Sequence, residues 1–285
     1  MQNPSTITLG SFQVRLIRAG FYHWDGGAFF GVVPKTLWGA IMPADHLNRV
    51  RLGFNCFLIE TGDRTILVET GGGDRIDDRT RERLDISGQP PSMPETIAAH
   101  GIDPERIDLV INTHLHWDHC SGNCLLRDGQ FQPAFPNARY VTQFGEREHA
   151  RMRYVRDRVS YRDENYEPLL ASERMELLHG SCEIAPGIEL RIAPGHTPDM
   201  MVVIARSEGE TLCLFSDLIP TAFHVPPAWV AAFDISPLTS IETKTNLLTE
   251  AAREGWRCGF GHDPNIAFAG ISEREGRFQA HETVG

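Results

Sequence analysis

The sequence predicts a single α/β domain over residues 1–285, and three observations carry that prediction. Apolar runs of strand length intermix with amphipathic helical segments without a regular strand–helix beat. The composition, 41% hydrophobic and 23% charged over 285 residues, lets the chain bury a large core and excludes disorder of the whole. Neither an internal repeat nor a low-complexity linker divides the chain. Other classes fall away as well. No run approaches the ~18 apolar residues of a membrane span. Met1-Gln2-Asn3-Pro4-Ser5-Thr6 lacks the basic and apolar regions of a secretory leader, so a cytoplasmic protein with no membrane partner is expected. With 27 Lys+Arg against 38 Asp+Glu the net charge is -11, which disfavours nucleic acid as a partner.

The elements follow in chain order. Ile7 to Ile17 alternates weakly, as a strand does. Residues 55–60 and 65–69 are apolar runs joined by Thr61-Gly62-Asp63-Arg64, a β-hairpin signal. Thr70-Gly71-Gly72-Gly73-Asp74 lacks the Lys-Ser/Thr ending of a phosphate loop and reads as a sharp turn at a strand end. Pro94 to Gly101 reads as a short helix, with Pro in its first turn and Gly as its stop. Ile107 to Asn112 is a buried strand. Phe144 to Leu178, rich in Arg, Glu and Tyr, reads as helices with a mobile link. Strands are expected at 188–192, 201–205 and 211–215, and a helix from about Ser240 to Gly255.

The chemistry centres on Thr113-His114-Leu115-His116-Trp117-Asp118-His119, an H-x-H-x-D-H run directly after a buried strand. Residues two apart in an extended segment point to the same side, so His114 and His116 can grip one ion together. Asp118 and His119, beyond the turn, can face a second. Neutral imidazole and carboxylate are ordinary zinc ligands, and catalytic sites keep a position open for water. Further candidates each follow a strand: His196 in Ala193-Pro194-Gly195-His196, Asp217 in Phe215-Ser216-Asp217, and His262 in Gly261-His262-Asp263. Cys120 and Cys124 lack the second short-spaced pair of a structural zinc site.

This series resembles the metallo-β-lactamase superfamily, in its dinuclear hydrolase branch, from about Val14 to Ile271. The resemblance implies a four-layer αβ/βα sandwich. It implies one metal held by His114, His116 and His196, a second held by Asp118, His119 and His262, and Asp217 bridging them. True β-lactamases of this fold lack this combination, and diiron flavoprotein relatives carry a carboxylate where His116 stands. Hydroxyacyl-glutathione hydrolases append a helical substrate domain, whereas 23 residues follow His262 here. Asp25-Gly26-Gly27-Ala28-Phe29-Phe30-Gly31-Val32-Val33-Pro34-Lys35, Phe135-Pro136-Asn137-Ala138-Arg139-Tyr140 and Phe233-Asp234-Ile235-Ser236-Pro237-Leu238 look like the group of N-acyl-homoserine lactone lactonases and methyl parathion hydrolase-like enzymes. Two positions depart from it. The best-known lactonases carry a tyrosine three residues after the bridging aspartate, where Pro220 stands here, and Glu69 replaces a usual aspartate. The first departure leans towards the parathion hydrolase-like subgroup.

The resemblance therefore implies a dinuclear zinc hydrolase that opens lactones or cleaves aryl esters through a metal-bridging hydroxide, with phosphotriesterase activity as a side reaction. Two such ions about 3.5–4 Å apart bring the pKa of a shared water to roughly 7. Manganese, iron and cobalt also accept such sites. Asp118 is both ligand and candidate proton shuttle to the leaving group. Phe29, Phe30, Trp38 and His224 are the candidate substrate contacts. The partners expected are a small neutral lactone or ester and a second copy in a homodimer. An organophosphate triesterase and a non-catalytic metal-binding relative are the alternatives. Arg147, Arg151, Arg153, Arg156 and Arg158 read as a solvated face paired with nearby Glu and Asp.

Overall fold

The computed structural model describes residues 5–88 and 92–282, so residues 1–4 of the leader reading lie outside it. Its strands are β1 (Thr6–Leu9), β2 (Phe12–Asp25), β3 (Arg49–Glu60), β4 (Thr65–Val68), β5 (Leu109–Ile111), β6 (Cys124–Arg127), β7 (Gln130–Pro133) and β8 (Arg139–Gln143). They continue as β9 (Met175–Leu178), β10 (Cys182–Ala185), β11 (Ile188–Ile192), β12 (Met201–Ser207), β13 (Glu210–Leu214), β14 (Arg257–Gly259), β15 (Phe268–Arg274) and β16 (Arg277–His281). The α-helices are α1 (Gly26–Phe30), α2 (Lys35–Ile41), α3 (Asp78–Arg83), α4 (Met93–Ala99), α5 (Trp117–Cys120), α6 (Phe144–Met152), α7 (Glu167–Ala171) and α8 (Pro237–Glu254). Among the described residues no helix is long and apolar enough to cross a membrane. The chain falls into two compact units, the first of residues 5–21 and 54–180, the second of residues 22–53 and 181–282.

The first unit carries most of a seven-stranded sheet in the order β1-β2-β3-β4-β5-β8-β9. The expected hairpin is there, with Phe57 opposite Val68 and Glu60 opposite Thr65. From β4 onward the strands run parallel. Parallel neighbours need crossovers, which is why α3, α4 and the elements from α5 to α7 fall between them in sequence. Both β4 and β5 are buried along their whole length, as strands covered on two faces must be. Two expectations need correcting. Ile7–Ile17 is two strands rather than one, because Gly10 turns the chain at φ 57 and lets β1 pair with β2. The stretch 144–178 ends in a strand, β9, since Met175 and Leu178 are buried and pair with β8.

The second unit holds the other seven-stranded sheet, β10 to β16 in sequence order. Only β13 and β14 are parallel, and α8 is their crossover. Helix α8 buries Ser240, Lys244, Leu247, Leu248 and Ala251, a stripe at helical spacing. Its apolar members pack with Val202, Ile204, Phe215, Trp256, Phe260 and Ile271 in the core of this unit. Gly255 ends the helix at φ 68, three residues earlier at the start than expected but with the expected stop.

Candidate metal centre

In the first unit β5 delivers the chain through Asn112 and Thr113 into the H-x-H-x-D-H run, and α5 begins at Trp117. His114, His116 and His119 are buried, and Asp118 is partly so. The Thr113 hydroxyl donates its one hydrogen to Glu69 Oε1 and lies 3.0 Å from His114 Nδ1. It must then accept from Nδ1–H, which leaves the His114 Nε2 lone pair for another partner. Ring centroids lie 4.6 Å apart for His114 and His116, and 4.0 Å for His114 and His119. One ligand atom each from Glu69, His114 and His119 falls within a 4.8 Å cluster, with His119 Nδ1 3.3 Å from Glu69 Oε1. The loop is held from behind. Buried Glu146 of α6 accepts from Leu115 N and from the Tyr161 hydroxyl, both at 3.0 Å, and the Tyr161 ring packs edge-on against His116.

In the second unit three candidates follow strand ends: His196 after β11, Asp217 after β13 and His262 after β14. All three are buried. The Asp217 carboxylate turns one oxygen to each histidine, Oδ2 at 3.3 Å from His196 Nε2 and Oδ1 at 2.9 Å from His262 Nε2. The opposite ring nitrogens are also placed on oxygen. His196 Nδ1 is 3.0 Å from Asp234 Oδ1, and His262 Nδ1 is 2.9 Å from the Gly53 carbonyl and 3.2 Å from the Tyr22 hydroxyl. A carbonyl can only accept, so His262 carries its hydrogen on Nδ1 and directs the Nε2 lone pair at a carboxylate oxygen. Two electron pairs at that distance repel unless a proton or a cation accompanies them. A divalent cation suits this donor set, and the outer partners fix the tautomer it requires. Pro220, where the best-known lactonases carry tyrosine, accepts the His262 backbone N–H at 2.9 Å.

Phe29, Phe30, Trp38 and His224 form one buried aromatic stack in the second unit. Phe30 lies face-on between Trp38, at 5.1 Å, and His224, at 4.7 Å. His224 Nε2 donates to the Phe29 carbonyl at 3.0 Å and Nδ1 accepts from Thr221 Oγ1 at 2.8 Å, so its ring is saturated by protein. Burial, with Lys244 second, pushes its pKa down to about 3. The folded state therefore binds fewer protons than the unfolded one below about pH 6.5. Stability is complete above that pH and falls as pH drops towards 3. We expect His224 to remove ~2–3 kcal/mol between pH 7 and 4.5. Urea unfolding of the metal-free protein at both pH values, beside a His224→Gln variant that cannot titrate, checks this; an unchanged slope in the variant would refute it.

The arginine run behaves as a paired surface: Arg147 meets Glu148 and Glu167, Arg151 meets Glu148, and Arg153 meets Asp163. Glu146, Tyr161, Ser240 and Lys244 carried no sequence signal for a role here, and Asp234 stood out only within a motif of resemblance.

A model of the Metallo-beta-lactamase superfamily matches residues 51–262. An N-acyl homoserine lactonase of Bacillus cereus is 30% identical over 179 residues, 59% of this chain. That match spans 64% of the relative, less than two thirds of its length. The crystal structure of a probable metal-dependent hydrolase from Staphylococcus aureus is similar over 98% of this chain and 100% of its own, at TM-score 0.86 and 27% identity. AidC, a dizinc quorum-quenching lactonase, shares the fold at TM-score 0.80 and 19% identity, over 100% of this chain and 98% of its own.

Proposed function

The chain belongs to the metallo-beta-lactamase superfamily, and from that premise we propose that it is a dinuclear metal hydrolase of lactones or aryl esters. The observation that carries this reading is Asp217, whose two oxygens face the Nε2 atoms of His196 and His262. In the proposed assignment His114, His116 and His196 would hold one ion, Asp118, His119 and His262 would hold the other, and Asp217 would serve both. Zinc fits the imidazole and carboxylate donors, with manganese, iron and cobalt as substitutes. Two such ions, when bound, would supply a nucleophile from water at neutral pH and polarise the scissile carbonyl. The protein's own part is to hold that constellation rigid. Thr113 and the Gly53 carbonyl orient His114 and His262, and Glu146 braces the loop. Asp118 carries a proton to the departing alkoxide. Phe29, Phe30, Trp38 and His224, buried and packed on one another, serve as a stiff internal support of the second unit rather than as contacts to the substrate. A neutral substrate suits the acidic surface.

Pro220 favours a second reading. It offers no hydroxyl to a substrate carbonyl, so phosphotriester hydrolysis is the runner-up. Metal analysis followed by a hydrolysis panel decides between them: homoserine lactones of several chain lengths, dihydrocoumarin, p-nitrophenyl esters and methyl parathion. We expect two ions per chain and the fastest turnover on a lactone or ester. Faster turnover of the phosphotriester than of every lactone and ester would overturn the substrate class, and a chain that takes up no metal would overturn the mechanism.

A further inference from the structure

We propose that Asp234 is a positioning residue for His196, and that residues 233–236 with the first turn of α8 form a frame cast on that one imidazole. The inference rests on the reading of His196 as a metal ligand. Four consecutive residues touch the histidine or its neighbour. The Phe233 ring stands edge-on to the imidazole at 5.8 Å, and Asp234 Oδ1 lies 3.0 Å from Nδ1. Ile235 N donates to the His196 carbonyl at 3.1 Å, and Ser236 N donates to the Gly195 carbonyl at 2.9 Å. These contacts fix ring position, ring rotation and backbone together.

The frame is itself anchored by α8. Ser240 Oγ donates to the second oxygen of Asp234 at 2.6 Å, and Thr243 Oγ1 donates to the Pro194 carbonyl at 2.9 Å. Lys244 Nζ donates to the Trp229 carbonyl at 2.6 Å. Three side chains spaced i, i+3 and i+4 on one helical face thus hold both the turn bearing His196 and the loop bearing Asp234. The Lys244 ammonium is buried beneath that loop. Burial pushes its pKa down to about 7, and the nearby Asp234 carboxylate works against that fall. An imidazole whose Nδ1–H is given to a carboxylate directs its Nε2 lone pair away from that carboxylate, the orientation a metal ligand needs, and is the more basic for it.

The test uses the full chain and its Asp234→Asn, Asp234→Ala and Ser240→Ala variants, titrated with Zn²⁺ against a competing chelator. We expect Asp234→Ala to weaken one of the two ions roughly 10–100-fold and leave the other unchanged. Asp234→Asn keeps an acceptor oxygen and should recover part of the loss, with Ser240→Ala showing the smallest effect. Nitrogen-edited long-range NMR of the metal-free proteins supplies the second readout. The Nδ1–H tautomer of His196 should dominate in the parent, lose that dominance in Asp234→Ala and keep part of it in Asp234→Asn. If Asp234→Ala does not fold, the isosteric Asp234→Asn carries the test. Parent affinity for both ions with an unchanged tautomer in the Asp234 variants would overturn the proposal, even if their melting temperature falls. A parent that binds fewer than two ions would overturn the dinuclear reading instead, while the tautomer still reports on Asp234.

Discussion

Replacing Asp217 with alanine is expected to lower hydrolysis by about three orders of magnitude, some ~4 kcal/mol of lost transition-state stabilisation, and to reduce bound metal from two ions per chain to one. The magnitude follows from what the side chain faces. Its oxygens lie 3.3 Å from His196 Nε2 and 2.9 Å from His262 Nε2, so one substitution removes the anionic partner of both. Neutral imidazoles alone compensate the charge of two divalent cations poorly. Asp217→Asn tests charge separately from shape, and should fail nearly as badly, because an amide is a weak ligand. Elemental analysis and initial rates on the best substrate of the panel are the measurements, with circular dichroism to confirm folding. Two ions and full activity in Asp217→Ala would end the assignment.

Gly195→Ala should be strongly damaging to the second unit. Gly195 sits at φ 147, a conformation side chains rarely adopt. A Cβ there would lie 2.4 Å from Ser240 Oγ, 2.5 Å from its Cα and 2.7 Å from its backbone nitrogen. The hydroxyl could turn away, but the backbone of α8 cannot. Strained backbone costs about 1–3 kcal/mol and overpacking a further ~1–3 kcal/mol. For a chain of this size that lowers the melting temperature by roughly 10 °C. Because the turn carries His196, metal affinity should fall with stability. Ser240→Gly removes the hydroxyl but neither Cα nor nitrogen, so the double variant should remain destabilised. Thermal melts with and without Zn²⁺ check both points, and a double variant restored to parent stability would place the clash in the side chain alone.

Much of the candidate site was legible in the sequence because it lies in short local patterns. H-x-H-x-D-H, G-H-T-P, S-D and G-H-D each follow an apolar run that the structure forms as a strand. The hairpin and the strand at 188–192 were equally local, since a period of two and turn residues mark them. Local signals also misled. Ile7–Ile17 continued through Gly10 because weak alternation cannot show where two strands fold back on each other. Met175–Leu178 read as helix because a four-residue strand with one exposed and one half-buried position has little period of its own.

By itself, then, the sequence determined which residue types could bind metal, their order along the chain and the strands that present them. Tertiary structure alone decided what holds each ring. His196 reaches Asp234 across 38 residues, and His262 reaches the Gly53 carbonyl across 209. It also decided that Phe29, Phe30, Trp38 and His224 close on one another as a buried stack. The reason is physical. Helical and strand periods record the geometry of neighbouring residues, whereas the second nitrogen of an imidazole takes whatever acceptor the packed chain brings within 3 Å.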